Sequence, residues 1–236
     1  MTDKKKKIVF VIVEGPSDET ALGLFLNKIY NNQKVFIEVV HGDITSQNDV
    51  NSSNIVTKIN NIIKSYMNNY HVNKNDFQEI VHLVDMDGAF IEDEKIVYDG
   101  NCDRTLYSET CIRTDNVENI LKRNSRKRGC INRICSLPEI NGIKYQVYYM
   151  SCNLDHVLFN KLNIDDDEKR RSAYNFARKY RNDLEGFVGF VSNSAFSING
   201  DYIDSWDFIK KELHSLERHT NFGICISRAL NNKIDD

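Results

Sequence analysis

Proline and glycine are scarce, at 2 and 11 in 236 residues, which excludes collagen-like and low-complexity sequence. No apolar run approaches the roughly 20 residues that a membrane span requires. The basic start Lys4-Lys5-Lys6-Lys7 leads into only the short apolar run Ile8–Val13 before Glu14. That is too little for a secretory leader, so a cytoplasmic protein with no membrane partner is expected. Charge of one sign is also missing: 31 Lys and Arg oppose 34 Asp and Glu, a net charge of -3. A protein that grips nucleic acid over its whole surface is usually basic, so any such contact must use a local patch. The six cysteines (Cys102, Cys111, Cys130, Cys135, Cys152 and Cys225) lack the two short, close pairs of a zinc site. Without a leader they read as reduced thiols. No Gly-rich phosphate loop of the G-x-x-x-x-G-K-[ST] kind occurs.

What is present is an alternation of buried strands and amphipathic helices. Ile8-Val9-Phe10-Val11-Ile12-Val13 is continuous, apolar and largely β-branched, as expected of a strand covered on both faces. A turn at Glu14–Asp18 leads into a helical spacing of Ala21, Leu22, Phe25, Leu26 and Ile29. A second apolar run, Val35–Val40, ends in His41-Gly42-Asp43. After a polar loop, Ile55, Ile59, Ile62, Ile63, Tyr66 and Met67 mark a second helix. The third strand, Glu79–Val84, ends in Asp85-Met86-Asp87-Gly88. Strand and helix in turn, with short links, predict a mainly parallel α/β sheet. The pattern weakens from Ala89 to Gly142, where Asp115–Lys122 reads as one short helix and Lys122–Arg133 is a basic stretch. A fourth strand, Lys144–Met150, runs into Ser151-Cys152-Asn153-Leu154-Asp155-His156. Beyond it, Asp166–Asn182 and Ser205–His219 have helical spacing, and Phe187–Val191 reads as a short strand or buried connector. The expected organisation is an α/β unit over residues 1–160 with an insertion at about 89–143, then a mainly helical extension over 161–236.

Ligands of open parallel sheets bind beyond the carboxyl ends of the strands. Three of the four predicted strands end in acid there: Glu14, then Asp85 with Asp87, then Asp155. Converging carboxylates repel unless neutralised, and a hard divalent cation with oxygen ligands does that well. Asp85 and Asp87 point the same way if the strand continues through them. The bland reading of Asp-x-Asp-Gly is a polar turn.

Ile8–Leu26, a hydrophobic strand ending in Glu14-Gly15 before a helix, resembles the first motif of TOPRIM domains. Val81–Gly88, a strand ending in Asp-x-Asp, resembles their second. The resemblance covers residues 8–88 well and 144–160 loosely. It implies a Rossmann-like sheet and Mg²⁺, replaceable by Mn²⁺, held by Glu14, Asp85 and Asp87 as the catalytic residues. Among TOPRIM branches the chain looks most like OLD-type nucleases, in which a second acid follows the first Glu by four residues. Asp18 stands at that place and joins the implied metal ligands, with Asp155 toward a second ion. Asp18 as a helix N-cap and Asp155 as an exposed helix start are the competing readings. Where those nucleases carry Ser-x-Glu, this chain has Ser151–Asp155 instead, a departure that bears on the second ion. His156 is an auxiliary candidate for orienting water or a leaving group.

The resemblance implies a metal-dependent nuclease cutting DNA or RNA, an endonuclease in preference to an exonuclease, and an effector in anti-phage defence. Any ATPase sensor would be a separate protein. The alternative is a non-catalytic TOPRIM module binding nucleic acid or a protein partner. Lys122, Arg123, Arg126, Lys127, Arg128 and Arg133 form the expected phosphate-backbone grip, against the alternative of a solvated loop.

Overall fold

A computed structural model describes residues 6–31 and 33–231. The basic start at Lys4-Lys5 and the end of the predicted extension, 232–236, lie outside the described residues. Four strands, β1 (Ile8–Val13), β2 (Lys34–Val39), β3 (Phe77–Asp85) and the later Ile143–Met150, run parallel in the main sheet. In chain order the remaining strands are β4 (Ile96–Tyr98), β5 (Leu106–Tyr107), β6 (Ile112–Thr114) and β7 (Glu139–Ile140), which makes Ile143–Met150 β8. The sheet order is β2-β1-β3-β8-β7, with only β7 antiparallel. The helices are α1 (Pro16–Ile29), α2 (Ile55–Tyr70), α3 (Val117–Ile134), α4 (Leu154–Phe159), α5 (Asp166–Tyr180), α6 (Leu184–Asn193), α7 (Tyr202–Ile209) and α8 (Phe222–Asn231).

Every residue of β1 is buried, and its alternation divides the core in two. Val9, Val11 and Val13, with Val81, Leu83, Tyr148 and Met150, face a layer built from α1, α4, α5, α6 and α8. Ile8, Phe10 and Ile12, with Ile80, Val84, Val147 and Tyr149, face α2, α3 and α7. A strand covered on both sides needs no polar face, which is why β1 reads as an unbroken apolar run. The molecule is thus α/β, with a mainly parallel mixed sheet flanked by helices and an arrangement compatible with a Rossmann-like fold. Among the described residues no helix is long and apolar enough to cross a membrane.

The weak stretch after β3 holds a small sheet of order β4-β6-β5 and α3. The helical end of the chain does not stand apart, since Phe222, Cys225, Ile226 and Ala229 of α8 complete the core under β1. Three local readings are corrected. Residues 117–134 form one 18-residue helix, where a short helix ending at Lys122 and then a basic stretch were expected. Ile120, Cys130, Ile131 and Ile134 supply its buried stripe, and the many cations between them masked it. Phe187–Val191 is helical, inside α6. The predicted helix Ser205–His219 stops at Ile209, and turns run from there to the strand-like bridges of Thr220 with Met150 and Ser197.

Candidate functional site

All four parallel strands deliver acid to one edge. Glu14 follows β1, Asp43 lies beyond β2, Asp85 ends β3, and Asp155 follows β8 at the start of α4. β1 and β3 are neighbours whose outgoing connections lead to opposite sides of the sheet, the position at which such folds open a crevice. There the two acids meet: the Asp85 backbone N–H donates to Glu14 Oε1 at 3.1 Å. Asp85 Oδ1 in turn accepts from the Leu154 N–H at 3.0 Å. A cleft of about 560 Å³ opens over them, lined further by Asp18, Asp155, His41 and Lys169.

Asp18 sits in the first turn of α1, three residues beyond the N-cap Gly15. It is therefore not the cap itself. Its Oδ2 accepts from the Gly15 N–H at 2.9 Å, the reciprocal half of a capping box. Asp155 pairs with Lys169 of α5, Oδ2 to Nζ 3.0 Å. The positive end of α1 also opens on the cleft through Gly15, Pro16 and Ser17.

Asp87 departs from its expected place. β3 ends at Asp85, and Asp87 takes a left-handed backbone with φ 47°. Strand alternation therefore does not carry through to it, and Asp87 is not among the residues lining the cleft. Gly88 follows at φ 64°, where a Cβ would stand 2.5 Å from the Leu216 side chain. Only glycine fits that turn.

Asp87 instead meets Lys127. The Lys127 side chain is 0% exposed, its Nζ 2.5 Å from Asp87 Oδ2 and 2.7 Å from Asp43 Oδ2. Arg123, one turn earlier on α3, donates to the Asp87 carbonyl at 2.8 Å and to the Tyr107 hydroxyl. These two members of the basic cluster face inward, so they cannot grip a strand lying on the surface. Lys122 and Arg133 are exposed. Lys122 pairs with Glu118 at 2.5 Å. Arg126 donates to Asn48 Oδ1 at 2.9 Å, and Arg128 lies 3.8 Å from Asp93. The expected sixfold grip thus separates into two internal counter-charges and four outer cations, because helical periodicity turns 123 and 127 inward together.

His156 is also elsewhere. It is 3% exposed, does not line the cleft, and sets Nε2 3.3 Å from Glu109 Oε1. Ser151 is structural: its hydroxyl donates to the His214 carbonyl at 2.7 Å and to the Glu217 carbonyl.

The electrostatics divide the same way. Burial, then the charges of Asp43 and Asp87, push the Glu14 carboxyl well above its usual range despite Lys127. Burial, Glu14, Asp18 and Asp87 do the same to Asp85. Burial and Asp155 push Asp18 up to about 6. Burial alone would raise Asp43, but the Lys127 ammonium brings it down to about 2. Burial opposes charge on Lys127 also, and Asp43, Asp87 and Glu14 outweigh it, holding the ammonium well above its ordinary value.

Asp43 was not singled out from the sequence, and Lys169 only within the basic run Lys169-Arg170-Arg171, read as the exposed face of a helix. Asp43 obeys the same rule as the others, acid past the carboxyl end of a strand, here four residues beyond Val39. Lys169 carried no signal beyond a helical charge run.

Among the described residues no three His, Cys, Asp or Glu side chains converge closely enough to cage a metal ion. The donor chemistry still suits Mg²⁺, which keeps several waters and is commonly held by one or two carboxylates. Glu14 and Asp85 are such a pair, all-oxygen and short of positive charge. Comparison with protein-family models, curated proteins and solved structures finds no match.

Two outcomes follow for the metal-free protein. A carboxyl raised in the fold keeps a proton that the unfolded chain has lost, so its stabilising effect is present at low pH and disappears as pH rises through the folded value. Glu14→Gln and Asp85→Asn keep the acceptor oxygens for the Asp85 and Leu154 N–H groups. Urea unfolding should show both variants gaining stability over wild type between about pH 5 and pH 8. A difference that does not change with pH would remove the crowding argument. Lys127→Met should instead cost about 3–5 kcal/mol by leaving Asp43 and Asp87 uncompensated. A loss below about 1 kcal/mol, the scale of an exposed pair, would contradict the buried geometry.

Proposed function

We propose that the cleft is the active site of a Mg²⁺-dependent phosphodiesterase of TOPRIM type, a nuclease acting on DNA or RNA. The observation that carries this reading is the hydrogen bond from the Asp85 N–H to the Glu14 carboxyl at adjacent strand ends, in a cleft whose acidic side chains outnumber its basic ones. Glu14 and Asp85 would hold the ion, with Asp18 beside them. A bound divalent ion supplies charge neutralisation at the phosphate and activation of water. The chain does the positioning. The hydrogen bonds from the Asp85 and Leu154 N–H groups fix both carboxyls before any ligand arrives. Lys169, tethered by Asp155, sets an ammonium at the cleft for a phosphate oxygen, and the α1 N-terminus favours the same charge. Asp87, engaged by Lys127, acts in this reading as a holder of α3 against the site. A role in anti-phage defence with a separate ATPase sensor is the biological setting that the motif resemblance suggests.

A second reading is favoured by a specific observation: Lys127 already neutralises Asp43 and Asp87, and among the described residues no three acids converge. A non-catalytic module binding nucleic acid or a protein partner has no need of a metal cage.

The test is cleavage of single- and double-stranded DNA and RNA with Mg²⁺ or Mn²⁺ against excess chelator. Wild type should cut only with the ion. Asp85→Asn and Glu14→Gln should lose about a hundredfold or more in turnover, roughly 2.7 kcal/mol of transition-state stabilisation. Nucleic-acid binding without cleavage under every ion would establish the second reading.

The outer cations supply a separate outcome. Replacing Lys122, Arg126, Arg128 and Arg133 by Ala should lower the slope of log affinity against log salt by about 0.9 for each duplex phosphate that is no longer neutralised. Turnover at saturating substrate should be unchanged, since these cations position the strand without acting on the scissile bond. An unaltered slope would place the nucleic-acid path away from α3.

A further inference from the structure

Among the described residues β2 is the outer strand of the main sheet and pairs only with β1. The Lys34 N–H donates to the Lys7 carbonyl at 2.8 Å, and the Val40 N–H to the Val13 carbonyl at 3.0 Å. Even-numbered residues therefore turn their backbone groups toward β1. Val35, Ile37 and Val39 turn theirs outward, a row of donors and acceptors of the kind that recruits another strand. The side chains beside this edge are mixed: Phe36, Ile62, Tyr66 and Tyr70 stand among Glu38, Lys58 and Asn61. Phe36 packs on Tyr66 and Tyr70 of α2, with ring centroids 4.2 Å and 5.6 Å apart. A groove of about 510 Å³ runs between β2 and α2. Tyr70 is 57% exposed, and on the other face Leu24 of α1 is 39% exposed.

The charges on the strand select the occupant. Lys34 and Glu38 lie on the same face as Phe36 and two places either side of it. We propose that β2 is the seam of a homodimer, in which a second copy lays its own β2 antiparallel along the edge, about a twofold axis at Phe36. Lys34 then faces the partner's Glu38, Glu38 faces the partner's Lys34, and Phe36 meets the partner's Phe36. Val35 and the partner's Ile37 become a hydrogen-bonded pair, and Phe36 with its copy the close, non-hydrogen-bonded pair. A twofold interface must be self-complementary, and this register is. A slip of one residue sets inward-turned backbone against the outward row. A slip of two places Phe36 opposite Glu38 in one direction or Lys34 in the other and forfeits both ion pairs, so one register is distinguished from its neighbours. The two main sheets merge into one, and the acid-lined clefts open at its opposite edges.

The test is molar mass by size exclusion with light scattering across micromolar concentrations, on wild type, Lys34→Glu, and the swap Lys34→Glu with Glu38→Lys. Lys34 is exposed, so circular dichroism should show an unchanged fold. Wild type should run near twice the 27.4 kDa of one chain. Lys34→Glu, which sets like charges opposite one another, should weaken association at least tenfold, and the swap should restore it. A wild type that stays monomeric at every concentration, including one whose edge captures a foreign peptide instead, would overturn the proposal. So would a dimer indifferent to the reversal, or one that the swap fails to rescue.

Discussion

Like charge confined at one edge of a sheet is the constraint around which this molecule is arranged. Glu14, Asp18, Asp43, Asp85, Asp87 and Asp155 all collect at the carboxyl ends of the parallel strands, and each is partly or wholly withdrawn from water. Carboxylates so placed must be protonated, paired or bound to a cation. The chain meets part of that demand itself. Lys127 reaches Asp43 and Asp87 from α3, Arg123 takes the Asp87 carbonyl beside it, and Lys169 reaches Asp155 from α5. Helices that are remote in sequence are thereby fastened over the same edge, on opposite faces of the sheet. Two different layers of the fold are tied to one electrostatic problem.

That coupling explains which parts of the structure were legible in the sequence. β1, β3 and β8, with α1 and α2, are written in local patterns: continuous apolar runs and helical spacing with turn residues between. The position of Glu14 and Asp85 followed from those strands, since an acid just past a buried strand reaches the carboxyl edge whatever the rest of the chain does. Asp87 failed that inference because one left-handed residue, followed by a glycine no side chain can replace, ends the alternation. Asp43 was missed because a short turn separates it from its strand. The greatest error concerned α3. Its buried stripe contains Asn124 and Lys127 among the apolar residues, and a polar residue in a buried stripe is explicable only by a partner. The partners, at positions 43, 87 and 88, are distant in sequence. A charge run is solvated by default, and nothing local to 122–133 says otherwise.

The compensation is uneven, and the unevenness defines what the site can take. Asp43 and Asp87 have an ammonium that is covalently part of the chain and completely shielded from solvent. It cannot diffuse away, and the Asp43 carboxyl is correspondingly strongly acidic. Glu14 and Asp85 are pushed the other way, by burial first and then by the neighbouring carboxylates, which Lys127 offsets only in part. One half of the cluster is closed by its own lysine and functions as structure. The other half opens into the cleft with its charge unmet.

In the proposed reading an exchangeable cation would be directed to Glu14 and Asp85, because Lys127 already occupies Asp43 and Asp87. This bears on how a hydrolytic site could be built here with few acidic ligands. A cation that keeps most of its water needs only one or two carboxylates from the protein, provided they are held still. Both are held: one by the backbone N–H of the neighbouring strand, the other by the N–H that opens α4. The internal lysine also keeps the surroundings of that pair negative in moderation. If Asp43 and Asp87 were unpaired as well, their repulsion would raise Glu14 and Asp85 further and make them hold protons more firmly against any incoming ion. Lys127 thus stabilises α3 on the sheet and, by the same contacts, lowers the competition that a cation at Glu14 and Asp85 would face.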